Sequence, residues 1–164
     1  MANITRPNNF GEVVPGIYRS AFPHVGLHKT HLKGIKTIIK LVKTPYNEAE
    51  NEFIQVNGIN VYLLALKPNK DSNETNECSE DINMVMKILL DRKNHPILIH
   101  CNHGKHRTGC VVGCFRRLQG WKLENILEEY RMYAGTKFRL LDEEFIERYE
   151  PGQIRQINSA FRPF

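Results

Sequence analysis

The sequence predicts an α/β fold: a mostly parallel central sheet flanked by helices, with a helical C-terminal half. Three observations carry this. Two β-branched runs, 35–42 and 59–66, alternate with stretches of helical character, as βαβ units do. A third apolar run, Pro96-Ile97-Leu98-Ile99, ends in a polar loop and is followed by a helix. From residue 109 onward, the apolar residues recur at helical spacing.

The elements follow in order. Residues 1–12 are polar and Asn-rich and read as an irregular arm, ahead of a single domain over 13–164. Pro15-Gly16 marks a turn into a short strand, Ile17-Tyr18-Arg19-Ser20, with Arg19 expected to pair with a carboxylate. A short helix is expected over 27–33 and a strand over 35–42, which Pro45 ends. The stretch 47–56 reads as a helix stopped by Gly58, and 59–66 as the next strand. The long polar loop 67–78 follows a parallel strand, which puts it at the carboxyl edge of the sheet, where ligands bind. A helix over 79–92 carries the stripe Ile82, Val85, Met86 and Leu89. Helices are also expected over 109–119, over 123–133 with Leu123, Ile126, Leu127 and Tyr130 on one face, over 140–149 and over 153–161. No repeat, low-complexity segment or inter-domain linker is evident.

Composition is that of an ordinary globular chain: 41% hydrophobic and 25% charged residues. No apolar run is long enough to span a bilayer, and residues 1–6 lack the apolar core of a secretory signal. Cytosol, or the nucleus, is the expected location. The net charge of +5 suits anionic ligands without choosing among them. Of the four cysteines, Cys110 and Cys114 lie one helical turn apart, where they read as packing residues and form no disulfide with each other.

The stretch His100-Cys101-Asn102-His103-Gly104-Lys105-His106-Arg107-Thr108-Gly109 concentrates the chemistry. A loop feeding a helix N-terminus presents unpaired N–H groups to an anion, and the helix dipole adds positive character. Gly104 lets the backbone curl into a nest, and Arg107 offers a planar fork for two phosphate oxygens. Lys105, Arg107 and the dipole favour the thiolate of Cys101, which lies at the bottom of the cup. A thiolate beneath a phosphate is placed for in-line attack, giving a phosphocysteine. Thr108 is expected to donate its hydroxyl to that sulfur, and His100 to orient the loop or tune the thiolate.

Cys101 and Arg107, with five residues between them, have the spacing of the protein tyrosine phosphatase signature. The longer string through Gly104-Lys105-His106-Arg107-Thr108-Gly109-Cys110 resembles the plant and fungal atypical dual-specificity phosphatases. Asn9-Phe10, Gly16-Ile17-Tyr18-Arg19-Ser20-Ala21-Phe22-Pro23, Gly58-Ile59-Asn60-Val61-Tyr62 and Glu129-Tyr130-Arg131 are similar to the same family. The resemblance implies a cysteine-phosphatase, dual-specificity-phosphatase-like fold and no cofactor. It also implies hydrolysis of the β-phosphate of inositol pyrophosphates, a small-molecule polyphosphate substrate. Action on phosphoproteins, as a tyrosine or dual-specificity phosphatase, is the alternative. A silent polyphosphate-binding module is a further one.

Expected site residues follow. Cys101 is the nucleophile and Arg107 the phosphoryl-binding cation. Asn102, His103, Gly104, Lys105, His106 and Arg107 bind substrate. The resemblance adds Lys137 and Arg139 at the rim, Arg131 beyond the loop, and a ligand role near the site as the alternative for Arg19. Asp71 is the expected general acid, because Asn69-Lys70-Asp71 resembles the family's string at this place; Glu74 and Glu77 remain alternatives. Asn102-His103 departs from the family's more usual pair, which ends in arginine, so a titratable ring replaces a permanent charge. A zinc site built from His100, Cys101, His103, His106, Cys110 and Cys114 is a rival reading, but its spacing fits no standard framework. No aromatic-rich platform for single-stranded nucleic acid is present, so no nucleic-acid partner is expected.

Overall fold

The computed structural model describes residues 6–69, 78–152 and 154. Five strands form one sheet in the order β1-β2-β5-β3-β4. They are β1 (Gly11–Val14), β2 (Ile17–Ser20), β3 (Thr37–Lys40), β4 (Asn60–Leu63) and β5 (Ile97–His100). Strands β2, β5, β3 and β4 run parallel, and β1 joins as an antiparallel edge. The expected parallel sheet is therefore present. The reading at 13–20 had one strand after a turn, whereas Pro15-Gly16 closes a hairpin between two. Gly16, at φ 91°, supplies the left-handed residue of that turn.

Strand β5 is central, and its alternation explains why. Ile97 and Ile99 enter the larger core, while Leu98 enters the smaller one on the opposite face. The larger core holds α3 (Cys78–Leu90) and α4 (Arg107–Gln119). Ile82, Val85, Met86 and Leu89, the expected stripe of α3, are fully buried there. The smaller core packs α1 (Val25–Leu32) and α2 (Glu48–Val56) on the other face. Asn47 caps α2 by accepting from the Glu50 N–H at 2.9 Å.

The C-terminal half is helical as expected, with α5 (Leu123–Ala134) and α6 (Leu140–Arg148) packed on α4. Gly113 permits this closeness, since a Cβ there would lie 2.5 Å from the Ile146 side chain. Cys110 and Cys114 are buried among these contacts, as the packing reading required. Burial pushes both thiols well up. The helix expected over 153–161 lies largely outside the described residues. Among the described residues, no helix is long and apolar enough to cross a membrane.

Register sets the site. Ser20 of β2 and Lys40 of β3 both pair with His100 of β5, so three parallel strands end level. The loop carrying Cys101 leaves from the middle of that edge.

Candidate active site

Cys101 follows β5 directly and is almost fully buried. Gly104 bends the chain back at φ 70°, and its backbone N–H donates to Cys101 Sγ at 3.2 Å. A Cβ at Gly104 would lie 2.6 Å from the Ala21 nitrogen, so conformation and space both require glycine. Helix α4 begins at Arg107, two residues earlier than expected, with His106 as N-cap and no side-chain capping bond. Its first-turn N–H groups therefore have no intrahelical acceptor and none from the N-cap side chain.

A cavity of about 230 Å³ opens over the sulfur. Pro68, Cys101, Asn102, His103, His106, Arg107 and Arg139 line it. Cys101, Asn102, His103, His106, Arg107 and Arg139 thus meet as the sequence predicted, and Gly104 reaches the site through its N–H on the sulfur. Among the described residues, no carboxylate pairs with Arg107 or Arg139, which leaves both guanidinium groups to an anion.

Other expected residues lie elsewhere. Lys105 lines a neighbouring cavity. Lys137 meets the loop through its backbone, where its carbonyl accepts from His106 Nε2 at 2.7 Å. That bond fixes the His106 ring, and burial holds its pKa below the ordinary value. The Thr108 hydroxyl is fully buried and makes no hydrogen bond among the described residues, so the expected donation to sulfur is absent. The early start of α4 places Thr108 inside the helix, and the Gly104 N–H takes the position at the sulfur instead. Arg131 is tied to Glu143 at 2.7 Å on α6 and does not line the cavity. Lys70, Asp71, Glu74 and Glu77 lie outside the described residues. Pro68, just before them, reaches the cavity wall.

His100 is fully buried and held on both sides. Nδ1 lies 3.1 Å from the Cys101 carbonyl, which can only accept, so Nδ1 carries the hydrogen. Nε2 then accepts from the Tyr46 hydroxyl at 2.5 Å. Burial pulls the His100 pKa from 6.5 down to about 4, so the ring is neutral at pH 7. The ring holds the carbonyl of the loop's first residue, Cys101, in keeping with the orienting role expected of it.

Arg19 differs from expectation. It pairs with no carboxylate among the described residues; its guanidinium donates to the Gly104 carbonyl at 3.1 Å and stacks 3.6 Å from the Tyr133 ring centre. Desolvation pulls its pKa down to about 10, so it stays charged. Asp142 gave no signal in the sequence beyond that of a first-turn acid. It is buried and accepts from Tyr130 Oη at 2.6 Å and Asn69 Nδ2 at 3.1 Å. Tyr130 Oη in turn accepts from the Arg139 N–H at 3.0 Å. One carboxylate thus holds the start of the 67–78 loop against the segment carrying Arg139. Asn9 was quoted only for its likeness to a family opening. Its amide bridges the His103 and Tyr133 carbonyls at 3.1 and 3.2 Å.

The zinc reading does not fit this geometry. Both His100 nitrogens and His106 Nε2 are engaged by hydrogen bonds, and Cys110 Sγ faces Asn69 and Asp142. Among the described residues, no three His, Cys, Asp or Glu side chains are grouped to hold a metal.

Comparison with known proteins agrees with this geometry. The chain is 43% identical to the inositol diphosphatase SIW14 of Saccharomyces cerevisiae over 93% of its own length, and spans 55% of that relative. It is 42% identical to the inositol diphosphatase DSP3 of Arabidopsis thaliana over 92% of its length, covering 74% of the relative. The structure of the core catalytic domain of the PP-IP phosphatase SIW14 from S. cerevisiae, in complex with citrate, superposes with a TM-score of 0.86 at 38% identity. That match covers 96% of this chain and 95% of the other. Residues 4–162 match the model of the tyrosine phosphatase family. With the cysteine-to-arginine loop in place at the end of β5, the chain belongs to that family.

Proposed function

We propose that this chain is a metal-independent cysteine phosphatase that removes the β-phosphate of inositol pyrophosphates, with residues 13–164 as one catalytic domain. The observation that carries this reading is the cavity above Cys101. Its walls bring His103, His106, Arg107 and Arg139 together and include no carboxylate and no Phe, Tyr or Trp among the described residues. A site for one phosphotyrosine wants an aromatic wall, whereas a ring bearing many phosphates wants converging positive charge.

In the first step, the Cys101 thiolate attacks the terminal phosphorus in line. The P–S bond forms, the bridging P–O bond breaks, and the ring phosphate leaves with the electron pair. Arg107, the Gly104 N–H and the α4 N-terminus bind the transferring oxygens. Water then attacks phosphorus, the P–S bond breaks, sulfur recovers its pair and the water proton passes to solvent. A phosphate leaving group is weakly basic and asks little of a general acid. Asp71, with Glu74 and Glu77 as alternatives, matters for aryl or alkyl substrates, whose oxygens need the proton.

Cys101, Cys110 and Cys114 are free. That suits a reducing compartment, and we place the enzyme in the cytosol or the nucleus, which shares its redox state.

The test is phosphate release in EDTA from 5-diphosphoinositol pentakisphosphate and, separately, from phosphotyrosine peptides. Preferred release from the pyrophosphate supports the reading. Cleavage of the peptides alone replaces it with a protein phosphatase, and release of phosphate from neither replaces it with a silent binding module.

A further inference from the structure

A second cavity, of about 690 Å³, adjoins the first, and Asn102 and His103 line both. Its other walls are Arg6, Asn8, Asn9, Ala21, Phe22, His24, His28 and Lys105. Two permanent cations, Arg6 and Lys105, thus face three histidines, His24, His28 and His103. Among the described residues, no Asp or Glu lines the space. The mechanism uses none of these groups except His103.

The cavity is built by specific contacts. The segment before β1 is latched to the end of β2, where the Ala21 N–H donates to the Asn8 carbonyl at 2.8 Å, and to the catalytic loop, where Asn9 donates to the His103 carbonyl. Asn9 adopts φ 53°, a left-handed conformation that asparagine tolerates better than most residues. This bend brings Asn8 and Arg6 to the wall. On the far side, the His24 N–H donates to His28 Nδ1 at 2.8 Å. The hydrogen of His28 therefore sits on Nε2, and the ring is a donor even when neutral. Burial, followed by the neighbouring His24 and His31, holds the His28 pKa below its ordinary value. His24 Nδ1 lies 3.3 Å from the buried Glu50, which holds that ring on the cavity wall. Donors therefore line the wall from three separate parts of the chain.

We propose that this second cavity is a phosphate subsite, which holds ring phosphates of the substrate while its diphosphate lies over Cys101. The proposal rests on the pyrophosphatase reading for the substrate class, but the subsite has its own readout. Binding energy gathered there acts on polyphosphorylated rings and not on a small aryl phosphate, which ends at the first cavity.

The test compares wild type with Arg6→Gln, His24→Gln and the double variant. Arg6 and His24 are exposed, and glutamine at 24 still offers Glu50 a donor. Inositol hexakisphosphate, which has no diphosphate to lose, is measured as a competitive inhibitor of para-nitrophenyl phosphate hydrolysis. Arg6→Gln is expected to weaken inhibition about tenfold, the loss of one charge-assisted hydrogen bond, His24→Gln by less, and the double variant by more than either. Turnover of para-nitrophenyl phosphate alone stays within about twofold of wild type. Unchanged inhibition in the double variant overturns the subsite, as does wild type that the hexakisphosphate fails to inhibit. A parallel loss of aryl-phosphate turnover overturns it too, by assigning these residues to loop positioning. If wild type is inhibited but releases nothing from the pyrophosphate, the pyrophosphatase reading fails and the anion subsite stands.

Discussion

The backbone N–H of Gly104 points at the sulfur of Cys101, 3.2 Å away. The loop thus closes on its own first residue, and only glycine permits the closure. Gly104→Ala forces a left-handed alanine whose Cβ meets the Ala21 nitrogen at 2.6 Å. The expected result is a loss of at least about 2 kcal/mol in stability and near-complete loss of aryl phosphate turnover. Urea denaturation with steady-state kinetics checks both. Wild-type turnover in the variant contradicts the assigned geometry.

The same residue is held from the opposite side by Arg19, whose guanidinium reaches the Gly104 carbonyl from β2. Arg19→Lys keeps the charge but loses the flat stack over Tyr133 and the forked donor. Stability is expected to fall by about 1–3 kcal/mol, because a buried carbonyl and a buried ammonium are both left poorly paired. kcat falls with it, since the loop loses its brace. Thermal melts and kcat measured on the same preparation test the link, and normal kcat with a lowered Tm removes Arg19 from the site.

Tyr130 joins Asp142 to the Arg139 backbone. Tyr130→Phe strands one buried carboxylate oxygen and one N–H. It is expected to cost about 1–3 kcal/mol in urea denaturation. KM for aryl phosphate rises as well, because Arg139 on the cavity wall loses its backbone anchor. An unchanged KM confines this network to a structural role.

These contacts separate what the sequence shows from what it conceals. The strand, loop and helix around Cys101 were legible because their signals are local: an apolar run, a glycine and clustered cations. The strand Gly11–Val14 was not, because four residues ending at a turn leave little periodicity to read. Arg19 and Asp142 act across 85 and 73 residues of sequence, onto Gly104 and Asn69, and nothing in their own neighbourhoods announces it. Thr108 was misread because the first turn of α4 begins earlier than its apolar pattern does.

His100 makes stability depend on pH. Its folded pKa, about 4, lies below the ordinary 6.5, so as pH falls the unfolded chain takes up this proton first. The contribution is fully present above about pH 6.5 and is lost as the pH falls toward 4, an effect of about 3 kcal/mol. His100→Gln keeps an amide donor for the Cys101 carbonyl and an acceptor for Tyr46, without the titration. Chemical denaturation of both proteins from pH 7 to 4 is expected to show wild type losing more stability than the variant. Parallel curves contradict a neutral buried ring.

The central claim is that Cys101 carries the phosphoryl group. The most direct measurement is rapid acid quenching of the enzyme during turnover of the inositol pyrophosphate, in EDTA, followed by peptide mass mapping. The account predicts the added mass of one phosphoryl group on Cys101, and neither adduct nor turnover in Cys101→Ser. Turnover that persists in Cys101→Ser, or an adduct on one of the loop histidines instead, contradicts it.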